Sequence, residues 1–338
     1  MEIRNRTRLP AALHVVLDKR AAEHLVVCVK GTWTLSENGS PVLAEEQEPL
    51  HPADVHEGEP GKSSVRYEAD LGAMKPATDC ALVGTALPPK RGARSMNVSF
   101  RVGGVSQRAR VTGERKRVFP LAFFGWWTSA PAPLGPLPLV WEHAVGGTDF
   151  TPDNEKRHSL DLRNPLGRGF RARGSKLKQA GERLPQILHP SRAKEPVGFR
   201  FTGAHWAHRR PFAGTYDAAW QKERCPLLPL DFDDRFFNSA APGLTAGGHL
   251  AGGEKVEVEG CTRGGRLAFR LPTVSWRAEA ALGAATGAAP EPVEMSLMTV
   301  TVDTNAMRLF LTWRGALRVH GRLLKLEFVR LEAEGLDR

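Results

Sequence analysis

The chain has 338 residues, 41% of them hydrophobic, and a formal net charge of +10. This composition suffices for a large buried core, and the charge favours an acidic protein, nucleic acid or an anionic surface as partner. Because no run of eighteen apolar residues and no signal sequence occur, we expect a cytoplasmic protein without a membrane span. The cysteines are too far apart for a zinc ribbon, and reduced structural thiols are expected at Cys28, Cys80, Cys225 and Cys261.

The first zone of the chain, residues 1–117, is dominated by strand patterns. Apolar residues alternate between Leu25 and Leu35, and the polar residues that appear toward the end indicate a strand emerging from a core. Strict alternation from Ser95 to Val102 predicts a half-buried antiparallel strand. Gly103 and Gly104 then predict a tight turn into a returning strand over residues 108–112.

The last zone, residues 246–338, returns to the same alternation. Strands are predicted around Val256 and Val258 and over residues 267–271. Residues 298–302 and 309–313 predict a hairpin, with the turn at Asp303, Thr304 and Asn305. A closing strand is predicted from the alternation of Leu324, Leu326 and Phe328.

The middle zone, residues 118–245, is rich in proline, glycine, aromatic residues and arginine and predicts irregular packed structure. The aromatic cluster from Phe119 to Trp127 indicates core, and a short helix is predicted from Tyr216 to Arg224, ended by Pro226. The three zones together predict a mainly β, sandwich-like protein in one compact unit. Its antiparallel strands form two β-rich regions, joined by a long irregular segment with one or two short helices.

The search for catalytic chemistry is mostly negative. The sequence has no nucleophile elbow, Walker loop or Rossmann glycine fingerprint. His205 and His208 have a spacing that suits a metal on one helix face, but the glycine before them and the proline after them favour a loop. Asp231, Asp233 and Asp234 suit acid–base chemistry, yet their context favours acidic caps of a short helical turn. We expect no cofactor and no metal, and an enzyme that uses the Asp231–Asp234 cluster or the His205 and His208 pair is the last of three functional hypotheses.

The segment from Asn164 to Phe170 predicts a shaped loop, because its proline and two glycines direct the backbone and present Arg168 in a definite direction. Around it lies a basic run with few carboxylates: Lys156, Arg157, Arg163, Arg168, Arg171, Arg173, Lys176, Lys178 and Arg183. This run is open to three interpretations, which are a solvated basic loop, a partner-docking patch and a nucleic-acid site.

Four ordered motif blocks span about half of the chain, from residue 66 to residue 233. The first comprises residues 66–71 and the specific string Lys75-Pro76-Ala77-Thr78-Asp79. The other three are residues 141–149, 164–170 and 212–233. Together these blocks resemble a bacterial family of domains of unknown function, whose members are encoded beside type VI secretion spike proteins (VgrG or PAAR) and toxic effectors.

The resemblance implies an adaptor or chaperone that holds a type VI effector in the cytoplasm and helps load it on the VgrG or PAAR spike. It implies no enzyme activity. Interface hot spots are rich in arginine and aromatic residues, so the candidate partner contacts are Arg168, Phe170, Arg171, Arg173, Trp206 and Trp220. Internal roles stay open, since Arg168 can pair with Asp149 or Asp231 and the aromatics can fill core. The alternative function is nucleic-acid binding by the basic middle segment.

Overall fold

The computed structural model describes residues 2–37, 39–118, 127–150, 152, 154–172, 181–283 and 289–336. The strands of the first half of the chain are β1 (Glu2–Asn5), β2 (Ala11–Leu17), β3 (Glu23–Ser36), β4 (Gly39–Leu43), β5 (Val55–His56), β6 (Val65–Tyr67), β7 (Asp79–Val83), β8 (Thr85–Ala86), β9 (Ser95–Val102), β10 (Val105–Thr112), β11 (Arg117–Val118), β12 (Trp127–Thr128), β13 (Leu137–Pro138), β14 (Val145–Asp149), β15 (Ser159–Asp161) and β16 (Arg168–Gly169).

The remaining strands are β17 (Ile187–Leu188), β18 (Lys255–Glu259), β19 (Arg266–Arg270), β20 (Ser275–Leu282), β21 (Glu291–Pro292), β22 (Met295–Asp303), β23 (Arg308–Arg318) and β24 (Leu326–Glu334). One short α-helix, α1, spans Ala218–Glu223. Single 3-10 turns occur at Trp141–His143, Glu155–Arg157, Arg210–Phe212, Asp234–Phe237 and Leu323–Lys325. Within the described ranges no helix is long and apolar enough to cross a bilayer.

Three sheets make up the body of the protein, which confirms the mainly β prediction. The largest has the order β2-β3-β23-β22-β7, with β4 also paired to β3. The second has the order β17-β10-β9-β18-β19, and the third β1-β24-β20-β21. Strands from the first and last sequence zones therefore lie side by side, as in the β3–β23 and β9–β18 pairs.

The apolar face of the six-stranded sheet is shared between the other two large sheets. Trp33 and Leu311 belong to a buried cluster that also contains Phe100 and Val258 of the five-stranded sheet. Further along β3, Val27 and Val29 belong to a second cluster, with Val329 and other residues of the four-stranded sheet. The long strand β3 thus contributes to both cores, and burial of these side chains supplies the main driving force for folding.

The opposite face of the six-stranded sheet is polar, and it is buried too. Lys30 and Thr32 of β3 are 3% and 2% exposed, because residues 47–75 lie over this face and hydrogen bond to it. Only Thr34 and Ser36, at the end of the strand, are exposed. The predicted emergence of the strand from the core is therefore confirmed at Thr34 and Ser36, whereas the polar Lys30 and Thr32 before them are buried.

Several local predictions are confirmed, and two needed correction. The predicted strand over residues 95–102 coincides with β9, the 298–313 hairpin is formed by β22 and β23, and α1 lies within the predicted helix. Leu324 is fully exposed in a 3-10 turn, so the closing strand β24 begins only at Leu326. Trp127, predicted as core, is 56% exposed in β12, while residues 119–126 lie outside the described part.

Replacement of Phe100 tests the shared core. The side chain is fully buried in the cluster between two sheets. We expect Phe100→Ala to lower the free energy of unfolding by about 3–5 kcal/mol, through lost burial and the cavity left behind. Denaturant unfolding measures the change. Ser99→Ala, on the outward side of the same strand, is the control, and an equal effect of both substitutions would contradict this assignment of the core.

Candidate functional site

The second and third motif blocks pack against each other as a small three-stranded sheet. β14 pairs with β15 on one side and with β16 in parallel on the other. The backbone N–H groups of Arg168 and Phe170 donate to the carbonyl oxygens of Ala144 and Gly146, both over 3.0 Å. The side chain of Asn164 donates to the carbonyl oxygen of Val145 over 2.9 Å. Two blocks that are separate in the sequence therefore form one unit.

Two glycines permit this close approach. Gly146 and Gly147 have φ angles of 142° and 91°, a region that favours glycine. A Cβ at Gly146 would lie 2.2 Å from the carbonyl oxygen of Asn164, and one at Gly147 would lie 2.1 Å from that of Gly167. No side chain fits at either position, so the Gly-Gly pair of the second block and the loop of the third are mutually dependent.

Arg168 fixes this unit from within. Its Nε donates to the carbonyl oxygen of Glu142 over 2.6 Å, and its Nη2 donates to Nδ1 of His143 over 2.7 Å. Burial, followed by the positive charge of Arg168, lowers the pKa of His143 and keeps this imidazole available as a neutral acceptor. The suggested partners Asp149 and Asp231 do not form ion pairs with Arg168, because Asp149 faces Arg171 and Asp231 binds Thr215.

Two other candidate contacts near this loop, Phe170 and Arg171, are both partly buried. Arg171 pairs with Glu182, and its Nη1 lies 3.9 Å from Oδ1 of Asp149. Phe170 is half-buried. Arg173 lies outside the described residues.

Trp206 is a core residue. It is 2% exposed, and its ring makes an edge-to-face contact with Trp141 at a centroid separation of 4.9 Å. The Nε1 of Trp141 in turn donates to the carbonyl oxygen of Phe201 over 3.0 Å. The structure thus places Trp206 in the internal role that the sequence left open.

The histidine pair has no metal-site geometry. His205 is exposed, whereas His208 is largely buried with its Nε2 2.9 Å from Oγ1 of Thr202. Burial, followed by the neighbouring Arg209, lowers the pKa of His208 to about 4. Across the described ranges, no group of three or more potential ligand side chains comes together.

The aspartates of the fourth block are engaged in local structure. Asp233 accepts from the backbone N–H of Arg235 over 2.9 Å and caps the Asp234–Phe237 turn. Asp231 accepts from both the N–H and the hydroxyl of Thr215, over 3.0 and 2.8 Å. The predicted capping role is confirmed for Asp233. Asp231, near the end of the fourth block, is hydrogen bonded instead to Thr215 near its start.

The first block contains a buried ion cluster that sequence reasoning did not single out. Lys75, 3% exposed, donates to the carboxylates of Glu68 and Asp79, the latter over 2.8 Å. Asp79 is fully buried and also accepts from the backbone N–H of Ser239 over 2.8 Å and from the hydroxyl of Thr245 over 2.8 Å. The buried carboxylate of Asp79 is therefore paired with a cation of the first block and with donors of the middle zone.

Glu68 shows how the cluster is balanced. Burial opposes ionisation of this carboxyl, but Lys75 and then Arg314 outweigh it, so the pKa of Glu68 lies below its ordinary value. The hydroxyls of Ser239 and Thr299 donate to its two oxygens. A small cleft of about 150 Å³ adjoins the cluster and is lined by Glu68, Lys75, Arg209 and Arg314 among others.

The first block makes a second set of contacts with the sheet at Asp70, two residues after Glu68. Asp70 accepts from Nζ of Lys30 over 2.9 Å and from the hydroxyl of Thr312 over 2.8 Å. Arg314 donates to the carbonyl oxygens of Asp70 and Ala73, both over 2.7 Å. Since both anchors are buried, the first block is a structural element of the sheet and not a solvent-facing motif.

The fourth block, by contrast, contains a largely exposed stretch, residues 215–230, which we call the exposed helical segment. The helix α1 within it has no buried residue. Tyr216 is 52% exposed and Leu230 61% exposed, and the residues between them include the exposed Ala218 and Ala219. Exposed apolar surface of this kind is a feature of interaction sites on folded proteins.

The exposed helical segment is nevertheless held firmly. Asp217 accepts from the N–H of Trp220 over 2.8 Å and caps α1, and Nε1 of Trp220 donates to the carbonyl oxygen of Leu227 over 2.8 Å. Trp220 is half-buried and contacts the ring of Tyr216 edge-to-face at 4.6 Å. Trp220, a candidate contact predicted from the sequence, therefore packs against the exposed ring of Tyr216 and holds it in place.

The sequence alone did not identify the residues of the buried ion cluster or the exposed residues of the fourth block. Glu68, Lys75 and Asp79 belonged to recognised blocks, but were not assigned a role, although charged residues within a strand-rich region are a signal for buried pairs. Tyr216 and Leu230 are absent from the candidate contacts that the sequence predicts. The available signal is that the helix Ala218–Glu223 has no two apolar residues three or four positions apart, and so has no core-facing stripe.

The arrangement defines a β-rich scaffold whose motif blocks are held by close glycine contacts and buried ion pairs, with the exposed helical segment on the surface. The family model described as an uncharacterized protein conserved in bacteria (DUF2169) matches residues 20–314. The chain therefore belongs to this bacterial family. No curated protein and no solved structure matches the chain.

Removal of the central cation tests the buried ion cluster. We expect Lys75→Met to lower the free energy of unfolding by about 3–5 kcal/mol, because the carboxylates of Glu68 and Asp79 lose their buried counter-charge. Denaturant unfolding provides the measurement, with the exposed Lys194→Met as control. Adding Glu68→Gln should restore part of the loss. Equal stability of the Lys75 and Lys194 variants would exclude the cluster as a determinant of stability.

The lowered pKa of His208 predicts a pH dependence of stability. Between its ordinary pKa of 6.5 and the folded value of about 4, the unfolded chain binds the proton and the folded chain does not. His208 therefore destabilises the fold progressively as the pH falls through this window, and its effect is constant below it. Unfolding midpoints of His208→Gln should fall less steeply between pH 7 and 4 than those of the exposed control His205→Gln. Parallel slopes would contradict this origin.

Proposed function

We propose that this protein is a non-enzymatic adaptor or chaperone, which binds a type VI secretion effector and helps load it on the VgrG or PAAR spike. The observation that carries the proposal is the exposed helical segment. It belongs to one of the four motif blocks, yet its helix contributes no buried side chain to the fold. A motif segment that the core does not need is best explained by a partner that covers it.

The chemistry of this segment suits a protein partner. Tyr216, Leu230 and the half-buried Trp220 combine aromatic and aliphatic side chains, and aromatic residues are frequent hot spots of protein interfaces. The segment is also pre-organised, because Asp217 caps its helix and Asp231 holds its first residue, Thr215. Binding then costs little additional ordering of the chain.

The engagement of three of the five candidate catalytic groups supports a non-enzymatic role. A general base needs an oxygen or nitrogen within reach of a substrate. Asp231 and Asp233 instead accept hydrogen bonds from Thr215 and Arg235, and His208 lies against Thr202 in the interior. These groups stabilise turns and loops of the middle zone.

The alternative of nucleic-acid binding by the basic middle segment has less support. Among the described residues of this run, Arg163 pairs with Asp161, Arg171 with Glu182, and Arg168 donates to a backbone carbonyl. A phosphate-binding surface needs cations that are free to meet phosphates. These arginines are used to hold the loops of the second and third blocks.

Co-expression with the effector or spike protein encoded next to this chain tests the proposal. We expect a stable complex on co-purification, and Tyr216→Ala should weaken it about 30-fold or more, as expected for a hot-spot aromatic. Titration calorimetry or a binding curve from the purified complex measures the loss. The matched control is Phe150→Ala, which removes an aromatic ring that is 71% exposed elsewhere on the surface.

Three outcomes would contradict the proposal. One is failure of both neighbouring proteins to co-purify or to gain solubility. Another is an equal effect of Tyr216→Ala and Phe150→Ala, which would exclude the exposed helical segment as the docking site. The third is salt-sensitive binding of duplex DNA in place of either protein, which would favour the nucleic-acid alternative.

A further inference from the structure

A second exposed surface, the outer face of the five-stranded sheet, is strongly basic. Along β9, β10, β18 and β19, outward positions alternate with buried core positions, so the outward side chains form one surface. The strand registers bring Arg108 opposite Ser99 and Arg101 opposite Glu257. We call this surface the basic sheet face; its cations are Arg101, Arg108, Arg110, Lys255, Arg266 and Arg270, and its carboxylates are Glu257 and Glu259.

The carboxylates of the basic sheet face are already engaged, whereas two of its arginines are not. Glu257 pairs with Lys255 over 2.9 Å and also with Arg266. Glu259 accepts from the hydroxyl of Ser99 over 2.7 Å. Arg101 and Arg108 make no side-chain hydrogen bond or ion pair with any residue that the structure describes. The unmatched charge is therefore concentrated on the β9–β10 hairpin.

The surface is not flat at this point. A depression of about 140 Å³ lies between the hairpin and β18, and Arg101, Arg108 and Glu257 are among the residues that line it. At the other end of β9 the face continues into an open groove of about 930 Å³, whose lining includes Asn97 and Glu259. Three more cations line this groove: Lys90, Arg91 and Arg263.

We propose that the basic sheet face and the adjoining groove bind an acidic polypeptide surface. The charge pattern points to a protein and not to nucleic acid. Glu257 and Glu259 lie between the arginines of β9 and β10 and those of β19, where they would repel a continuous line of phosphates. The outward positions also contain no aromatic side chain on which a base could stack.

A polypeptide can match this pattern, because it can place carboxylates opposite the arginines and polar or cationic groups opposite the two glutamates. The proposal goes beyond the adaptor function and does not depend on it. It concerns a surface of the five-stranded sheet, to which the exposed helical segment does not belong, and it requires only that the partner carries clustered acidic residues.

Binding of a fluorescent glutamate-rich peptide with interspersed serines and lysines, called the acidic peptide below, tests the proposal when it is followed by anisotropy at low salt. We expect the Arg101→Glu/Arg108→Glu variant to bind at least about tenfold more weakly than the original protein. The control variant is Arg8→Glu/Arg318→Glu, which changes the net charge equally at exposed arginines outside the five-stranded sheet. Its affinity should fall no more than about threefold, since distant surface charges are screened. Thermal unfolding establishes that both variants are folded.

The outcomes separate the possibilities. Equal weakening of both charge-reversed variants, or no binding of the acidic peptide by the original protein, would overturn the proposal. Tighter binding of duplex DNA than of the acidic peptide through the same two arginines would assign the surface to nucleic acid instead. Tyr216→Ala should leave binding of the acidic peptide unchanged, so that failure of the adaptor proposal and failure of this one are distinguished. If charge reversal unfolds the protein, Arg101→Ala/Arg108→Ala replaces it, with the same direction expected.

Discussion

The structure depends on how the polar face of its six-stranded sheet is covered, because the polar side chains of that face need partners. Lys30, Thr312 and Asp303 lie on this face, and a purely apolar cover would leave them without partners, at considerable cost. The first motif block satisfies them, since Asp70 meets Lys30 and Thr312 while Tyr67 donates to Asp303 over 2.6 Å. A slip of this block by one residue would break these contacts together. Buried polar pairs of this kind contribute little net stability when intact and mainly fix the register, which is our hypothesis for this block.

The ordering of the irregular middle zone follows from the same cover. Asp79, at the start of a buried strand, accepts from Asn238, Ser239 and Thr245, so two points of the middle zone meet at one carboxylate. Arg209 adds a further link, through hydrogen bonds to the carbonyl oxygens of Thr202 and Phe236. A chain with few regular elements can therefore be held by side-chain to backbone hydrogen bonds, because they replace the bonds that helices and sheets normally supply.

The predictable part of the molecule is the part governed by periodicity. Strict alternation over residues 95–102 identified β9, and the two matched runs before and after Asp303 identified the β22–β23 hairpin. The polar face was not predictable, because a strand that alternates apolar and polar residues reads the same whether water or a polar segment covers it. The role of Arg168 was hidden for a related reason: its acceptor is the backbone carbonyl of Glu142, which leaves no trace in the sequence. Burial, and not residue type, separates Trp206 in the core from Tyr216 at the surface.

The two exposed surfaces differ in the step of binding that each would control. Surface charges such as Arg101 and Arg108 act over several ångströms, so they raise the rate of encounter with an acidic partner and lose this effect as salt rises. Apolar side chains such as Tyr216 and Leu230 act only in contact, so they set the rate of dissociation. A scaffold already fixed by buried ion pairs presents both without further ordering, which lowers the cost of association. On the proposed adaptor function, one rigid molecule would then be able to capture a partner electrostatically on one sheet and hold cargo by an apolar segment elsewhere.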